Sequence, residues 1–130
     1  MTAKKTILAV DDESDVLLLL KTALMSEGFT VMTATNGHDA IAMARETTPN
    51  LIILDLMMPE LSGFETLKQL RDGSATQLVP VIMLTGVSDK RKIREAIDLG
   101  INYYLVKPFE FHDLVAKVKL AIQDSETQPA

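Results

Sequence analysis

Four short apolar runs, Ile7 to Val10, Leu51 to Leu54, Val81 to Leu84 and Tyr103 to Val106, each end at a polar residue. Helix-sized stretches separate most of them, and this constrains the fold more than any other feature. Runs this short and this rich in Ile, Leu and Val read as parallel strands joined by helical crossovers. In an open parallel sheet the carboxyl ends of the strands gather at one edge, where ligands bind. The residues just past those ends are Asp11 and Asp12, Asp55, Thr85 and Lys107. Three carboxylates, a hydroxyl and an ammonium are therefore expected to converge. Three like charges at close quarters repel unless something neutralises them. A hard divalent cation does so, and Mg²⁺ commonly pairs one or two carboxylates with waters and a phosphate. The pattern predicts a site for magnesium and a phosphoryl group.

The stretches between the runs carry helix signals. Ser14 or Asp15 can cap a helix running to about Glu27, with Val16, Leu20, Ala23 and Leu24 as its apolar stripe and Gly28 as its stop. A short strand is expected at Thr30 to Ala34, then a turn at Asn36-Gly37 and a helix from about Asp39 to Glu46, halted before Pro49. A loop with Pro59 and Gly63 leads to a helix at about Phe64 to Arg71. Ser88 or Asp89 caps another that runs to Leu99 and ends at Gly100. The last helix, about Glu110 to Gln123, places Phe111, Leu114, Val115, Val118 and Ile122 at helical spacing. Residues 1–123 thus form one α/β domain of five βα units, and 124–130 a polar, frayed tail.

Composition narrows the function classes. A chain of 130 residues is one domain with its own core. The net charge of −5 gives no overall basic field for nucleic acid or an anionic membrane. The absence of cysteine excludes disulfides, thiolate chemistry and Cys-based metal sites. No apolar stretch approaches the roughly 20 residues of a membrane span, and no apolar leader follows Met1. The expectation is a cytoplasmic protein that touches neither nucleic acid nor membrane directly.

Four motifs together then resemble the receiver domain of two-component response regulators, chemotaxis regulators among them, over about residues 5 to 123. They are Asp11-Asp12; Asp55 within Leu54-Asp55-Leu56-Met57-Met58-Pro59 with Gly63 four residues after Pro59; Thr85-Gly86; and Tyr104-Leu105-Val106-Lys107-Pro108-Phe109. Singly each is weak, and their joint spacing is specific. The resemblance implies a doubly wound, flavodoxin-like (βα)5 fold with strand order 2-1-3-4-5. It implies phosphoryl transfer from a histidine kinase or phosphotransfer protein to Asp55, with no turnover of an external substrate. By the same resemblance Mg²⁺ is held by Asp12, Asp55 and the backbone carbonyl of Met57, with Asp11 acting through water. Lys107 and Thr85 contact phosphoryl oxygens, and Lys107-Pro108 is cis. Thr85 and Tyr104 form a switch that reshapes the surface of the fourth helix, fifth strand and fifth helix, to which a downstream protein binds. The chain is then a monomer, or a dimer formed on phosphorylation.

Two other classes fit the same residues less well. A flavodoxin-like cofactor binder needs a phosphate-cradling loop after the first strand, where this chain has the repelling Asp11-Asp12-Glu13. An aspartyl-phosphate phosphatase wants a general acid two residues after its nucleophile, where this chain has Met57. Departures from the family pattern are Ile101 and Tyr103, at positions more often Ala and Asp. The plainer reading of Tyr104 is a static half-buried aromatic, with Tyr103 on the opposite face of the strand. Lys90, Arg91, Lys92 and Arg94 read either as a solvated helix face or as a docking patch for an acidic partner. His38 and His112 lack a second ligand at metal spacing and read as surface or capping residues. The methionines read as core filler.

Overall fold

Strands β1 (Thr6–Val10), β2 (Thr30–Ala34), β3 (Leu51–Asp55), β4 (Val81–Thr85) and β5 (Tyr103–Val106) pair in parallel in the order 2-1-3-4-5. The computed structural model describes residues 4–86 and 90–127. The helices are α1 (Ser14–Ser26), α2 (Gly37–Thr47), α3 (Gly63–Asp72), α4 (Lys90–Asp98) and α5 (Phe111–Thr127). The α/β class and the doubly wound strand order expected from the sequence are both present.

Side chains alternate across the sheet, and the two faces bury different helices. Leu8, Val10, Ile52, Leu54, Val81 and Met83 face α2, α3 and α4, where Ala40, Ile41, Leu67, Leu70 and Ala96 meet them. Ile7, Ala9, Leu51, Ile53, Ile82 and Leu84 face α1 and α5, through Leu20, Leu24, Leu114 and Val118. Strands β3 and β4 are buried along their whole length, which is why they read as unbroken apolar runs. Strand β5 lies at the sheet edge, with Leu105 buried but Tyr104 42% and Val106 46% exposed. Tyr103 packs toward the α1/α5 layer, on the other side from the exposed Tyr104 ring, as strand alternation requires.

Several local expectations need correction. Asn36-Gly37 is the start of α2 rather than a separate turn, because the Asn36 side chain accepts a hydrogen bond from the Asp39 amide at 2.8 Å. That bond satisfies one of the helix's unpaired amides. At the head of α1 the capping residue is Glu13, with no side-chain cap bond. The Glu13 amide donates instead to Asp11 Oδ1 at 2.9 Å. The buried stripe of α1 contains Leu17, whereas Val16 is half-buried at its edge. Phe111, expected on the core stripe of α5, is 45% exposed. The proposed capping of α4 by Ser88 or Asp89 lies outside the described residues.

The end of α5 is the largest difference. The helix runs on through Thr127, past the expected stop at Gln123. Tertiary partners hold it: the Tyr103 hydroxyl donates to Asp124 Oδ2 at 2.7 Å. Lys5 and Glu126 form an exposed ion pair at 2.7 Å, of a kind that contributes little by itself. Composition alone marks this segment as polar and gives no sign that a distant tyrosine is waiting for it.

Arg71, at the end of α3, was not singled out from sequence. Its guanidinium donates to four backbone carbonyls: Val79 at 2.8 Å, Gly100 at 2.8 Å, Gln77 at 3.3 Å and Leu99 at 3.3 Å. Burial holds its pKa below the ordinary value.

Candidate functional site

Parallel register brings the strand ends level. Val10 pairs with Leu54 and Asp55 with Leu84, so the residues that follow emerge along one edge. The loops beyond them are tied down by backbone bonds: Asp11 to Ala34, Leu56 to Leu84 and Lys107 to Thr85. The last is 2.7 Å and fixes the approach of the lysine. The Lys107-Pro108 bond is cis, as the resemblance implies.

Three of the expected carboxylates do come together. Ligand oxygens of Asp11, Asp12 and Asp55 all lie within 4.8 Å of one another. Asp11 and Asp55 are buried, at 0% and 3% exposure, while Asp12 is exposed at the rim. Lys107 reaches into this cluster. Its Nζ lies 2.7 Å from Asp11 Oδ2, 3.5 Å from Asp55 Oδ2 and 3.7 Å from Glu13 Oε1. Glu13, read from sequence only as part of the acidic run, is thus an outer partner of that lysine. Thr85 is buried at the end of β4, directly across from Val106. Tyr104, two pairs back in the ladder and across from Met83, is on the exposed face of β5.

Two features hold Asp55 in place. Its Oδ1 accepts the Met57 amide at 3.2 Å. Behind it, Gly63 packs so closely that a Cβ there would fall 2.2 Å from the Asp55 carbonyl oxygen and 2.7 Å from Leu56 Cα. The intervening loop turns through Glu60, whose φ of 64° is left-handed. Met57 is half-exposed over this loop, and its sulfur lies 3.9 Å from Lys92 Nζ, a contact that sequence spacing could not supply.

The electrostatics follow from this geometry. Burial, and next the Asp11 charge, push the Asp55 carboxyl from its ordinary 3.8 up to about 6, against the opposing pull of Lys107. Burial would lower the Lys107 pKa, but its hydrogen bond to Asp11 and the nearby Asp55 charge outweigh that, and it is raised overall. The acidic cluster is a strained arrangement of like charge with too few cations. Its donors are hard carboxylate oxygens, the kind that Mg²⁺ prefers.

This strain has a measurable consequence. A carboxyl whose folded-state pKa lies above its unfolded value adds stability below the unfolded value and loses it as pH rises through the folded one. For Asp55 that loss begins near its ordinary value of 3.8 and is largely complete by about pH 6. In metal-free buffer at pH 7, Asp55→Asn should therefore stabilise the fold by on the order of 1–3 kcal/mol. The gain should shrink toward zero as pH falls to about 4. Denaturant melts of both proteins at the two pH values check it, and an equal gain at both would refute the charge-strain account.

Comparison with known proteins gives a consistent picture. Residues 7–119 match the family model described as the response regulator receiver domain. The chain is 38% identical over 122 residues to the alkaline phosphatase synthesis transcriptional regulatory protein PhoP of Bacillus subtilis, covering 94% of this chain and 50% of PhoP. It spans about half the length of the curated relatives it matches. Among solved structures it is similar to the chemotaxis protein CheY4 of Vibrio cholerae, with a TM-score of 0.87 and 33% identity over 92% of this chain and 99% of that one. It also resembles the receiver domain of sensor histidine kinase PA1611 from Pseudomonas aeruginosa, with a TM-score of 0.86 and 26% identity over 93% of this chain and 99% of that one. That protein has a magnesium ion coordinated in its active site cleft. From strand order, converging carboxylates and sequence alike, the chain belongs to the response regulator receiver domain family.

Proposed function

We propose that this domain accepts a phosphoryl group on Asp55 from a phosphohistidine of a kinase or phosphotransfer protein, and signals by a change of surface. The observation that carries the reading is the buried Asp55 carboxylate, held beside Asp11, Asp12 and the Lys107 ammonium. An Asp55 oxygen attacks phosphorus, the P–N bond to the donor imidazole breaks, and an acyl phosphate forms. Such transfers depend on positioning and on neutralising the equatorial oxygens. The Met57 amide fixes one Asp55 oxygen and leaves the other toward Lys107. Lys107, a compact cation on a flexible stem, can exchange its carboxylate partners for a phosphoryl oxygen. Thr85 is the hydroxyl donor for another.

The donor set fits Mg²⁺, with Asp12, Asp55 and the Met57 carbonyl as ligands and Asp11 through water. When bound, the ion would supply positive charge at the oxygens of the transferring group. Output is read at the groove between α4, β5 and α5, which Ile97, Ile101, Tyr104 and Lys117 line. In this reading Thr85 moves toward the phosphoryl group and Tyr104 turns inward from its exposed position. A phosphoryl group shifts that equilibrium only through different contacts in the two states. The downstream partner is a protein, and no catalysis beyond self-phosphorylation and self-dephosphorylation is assigned.

The test is incubation with an acyl-phosphate or phosphoramidate donor and Mg²⁺, followed by intact-mass measurement. One acid-stable, base-labile phosphoryl group is expected. Chelating the metal should abolish labelling, and Asp12→Ala should reduce it by about 10²-fold or more, the scale of a lost electrostatic contact at a reacting centre. Undiminished labelling in chelator would overturn the metal assignment.

A further inference from the structure

Met57 is an exposed methionine next to the candidate phosphoacceptor. Met58 and Met83 are buried, whereas Met57 is 50% exposed and stands two residues from Asp55. Its amide is bound to an Asp55 oxygen, so the residue cannot drift from the site. Its thioether lies 3.9 Å from the Lys92 ammonium, which comes from α4, an element remote in sequence. The result is a flexible apolar side chain beside the nucleophile, with a cation at its sulfur.

We propose that Met57 is an oxidation-sensitive cover, and that its conversion to the sulfoxide shortens the life of the phosphoryl group on Asp55. The inference rests on the phosphoacceptor reading above. In the step, the Met57 sulfur attacks the outer oxygen of a hydroperoxide. An S–O bond forms, the O–O bond breaks, sulfur gives up two electrons, and the peroxide leaves as water or an alcohol. The product is polar where the thioether was apolar. Lys92, at best a weak partner for a thioether, becomes a good donor to the sulfoxide oxygen. That oxygen can also hold a water near the phosphoryl group, which the reduced side chain cannot. An acyl phosphate is lost when water attacks in line with the leaving carboxylate. Groups that position protons in such steps give about 10²–10⁴-fold, and orientation of water alone gives less, so an effect of about tenfold is expected.

The experiment treats the whole chain with dilute hydrogen peroxide, maps sulfoxide by peptide mass spectrometry, and follows loss of the phosphoryl group by intact mass. Met25, 53% exposed near the end of α1, serves as an accessible control and Met58 as a buried one. Met57 should oxidise together with Met25 and ahead of Met58. The oxidised chain should lose its phosphoryl group about tenfold faster. Met25→Leu should respond like the parent, and Met57→Leu, which keeps an apolar cover without sulfur, should not respond. Met57→Gln, polar without oxidation, should start fast and stay fast. Oxidation of Met57 without a shorter lifetime, or no oxidation of Met57 while Met25 reacts, would overturn the proposal. A reduced parent chain that takes up no phosphoryl group at all would overturn the phosphoacceptor reading and this inference with it.

Discussion

Asp55→Asn should take up no phosphoryl group under conditions that label the parent chain fully. The amide has no carboxylate oxygen to attack phosphorus, and no other described acid is placed to replace it. Asp11 is the nearest alternative, but its Oδ2 is held by Lys107 at 2.7 Å and its Oδ1 by the Glu13 amide at 2.9 Å. Asp12 is exposed at the rim. The same substitution is expected to stabilise the metal-free fold at neutral pH, so lost labelling cannot be ascribed to lost structure. The pH dependence adds a second check. With its carboxyl pushed up to about 6 before any cation binds, Asp55 is mostly ionised at pH 7 and increasingly protonated below pH 6. Labelling by a fixed concentration of donor should fall as pH drops through that range, and saturating Mg²⁺ should shift the fall to lower pH. Retention of full labelling by Asp55→Asn, read by mass spectrometry, would sink the assignment.

Gly63→Ala should be the most disruptive small substitution near the site. The new methyl group would meet the Asp55 carbonyl oxygen at 2.2 Å, Leu56 Cα at 2.7 Å and the Leu56 carbonyl oxygen at 2.8 Å. All three are backbone atoms and cannot swing aside as a side chain would. Overpacking in a dense interior typically costs about 1–3 kcal/mol, and the rigidity of these neighbours places this change at the upper end or beyond. To fit, the start of α3 must back away and break the Gly63 to Leu56 hydrogen bond of 2.9 Å. Asp55 would then lose its support. Thermal melts should show the loss of stability, and phosphoryl uptake should fall even where the protein remains folded. Ala at Gly28, where no atom lies within 4 Å of a Cβ, would be strained by its φ of 93° but would leave labelling intact.

The sheet was legible because its central strands are buried on both faces, which forces unbroken apolar runs and leaves a polar residue wherever a strand emerges. Once the strands are parallel, topology alone gathers Asp11, Asp12, Asp55, Thr85 and Lys107 at one edge. Strand order is a different matter, since the runs do not number their neighbours, and only the family resemblance implied it. The helix phases were harder. Four successive leucines, Leu17 to Leu20, hide which of them faces inward, and the fold buries Leu17 and Leu20 while leaving Leu18 65% and Leu19 55% exposed. The end of α5 depends on Tyr103 and Lys5, contacts across the fold that no local propensity encodes. The proximity of Lys92 to Met57 depends on the angle at which α4 leaves the sheet, and nothing in its basic run fixes that angle.

The four carbonyls gathered by Arg71 have a mechanical consequence. They belong to the segment before β4 (Gln77 and Val79) and to Leu99 and Gly100 just after α4, so one guanidinium rivets that end of the helix to the body. Any rearrangement of α4 that preserves those bonds is a swing about Gly100 rather than a slide along the sheet. Displacement is then smallest at the riveted end and grows toward the start of the helix, where Lys92 meets Met57. A lever pinned at its far end converts a small push at the nucleophile into a tilt, and a partner resting on α4 would read the angle rather than the distance.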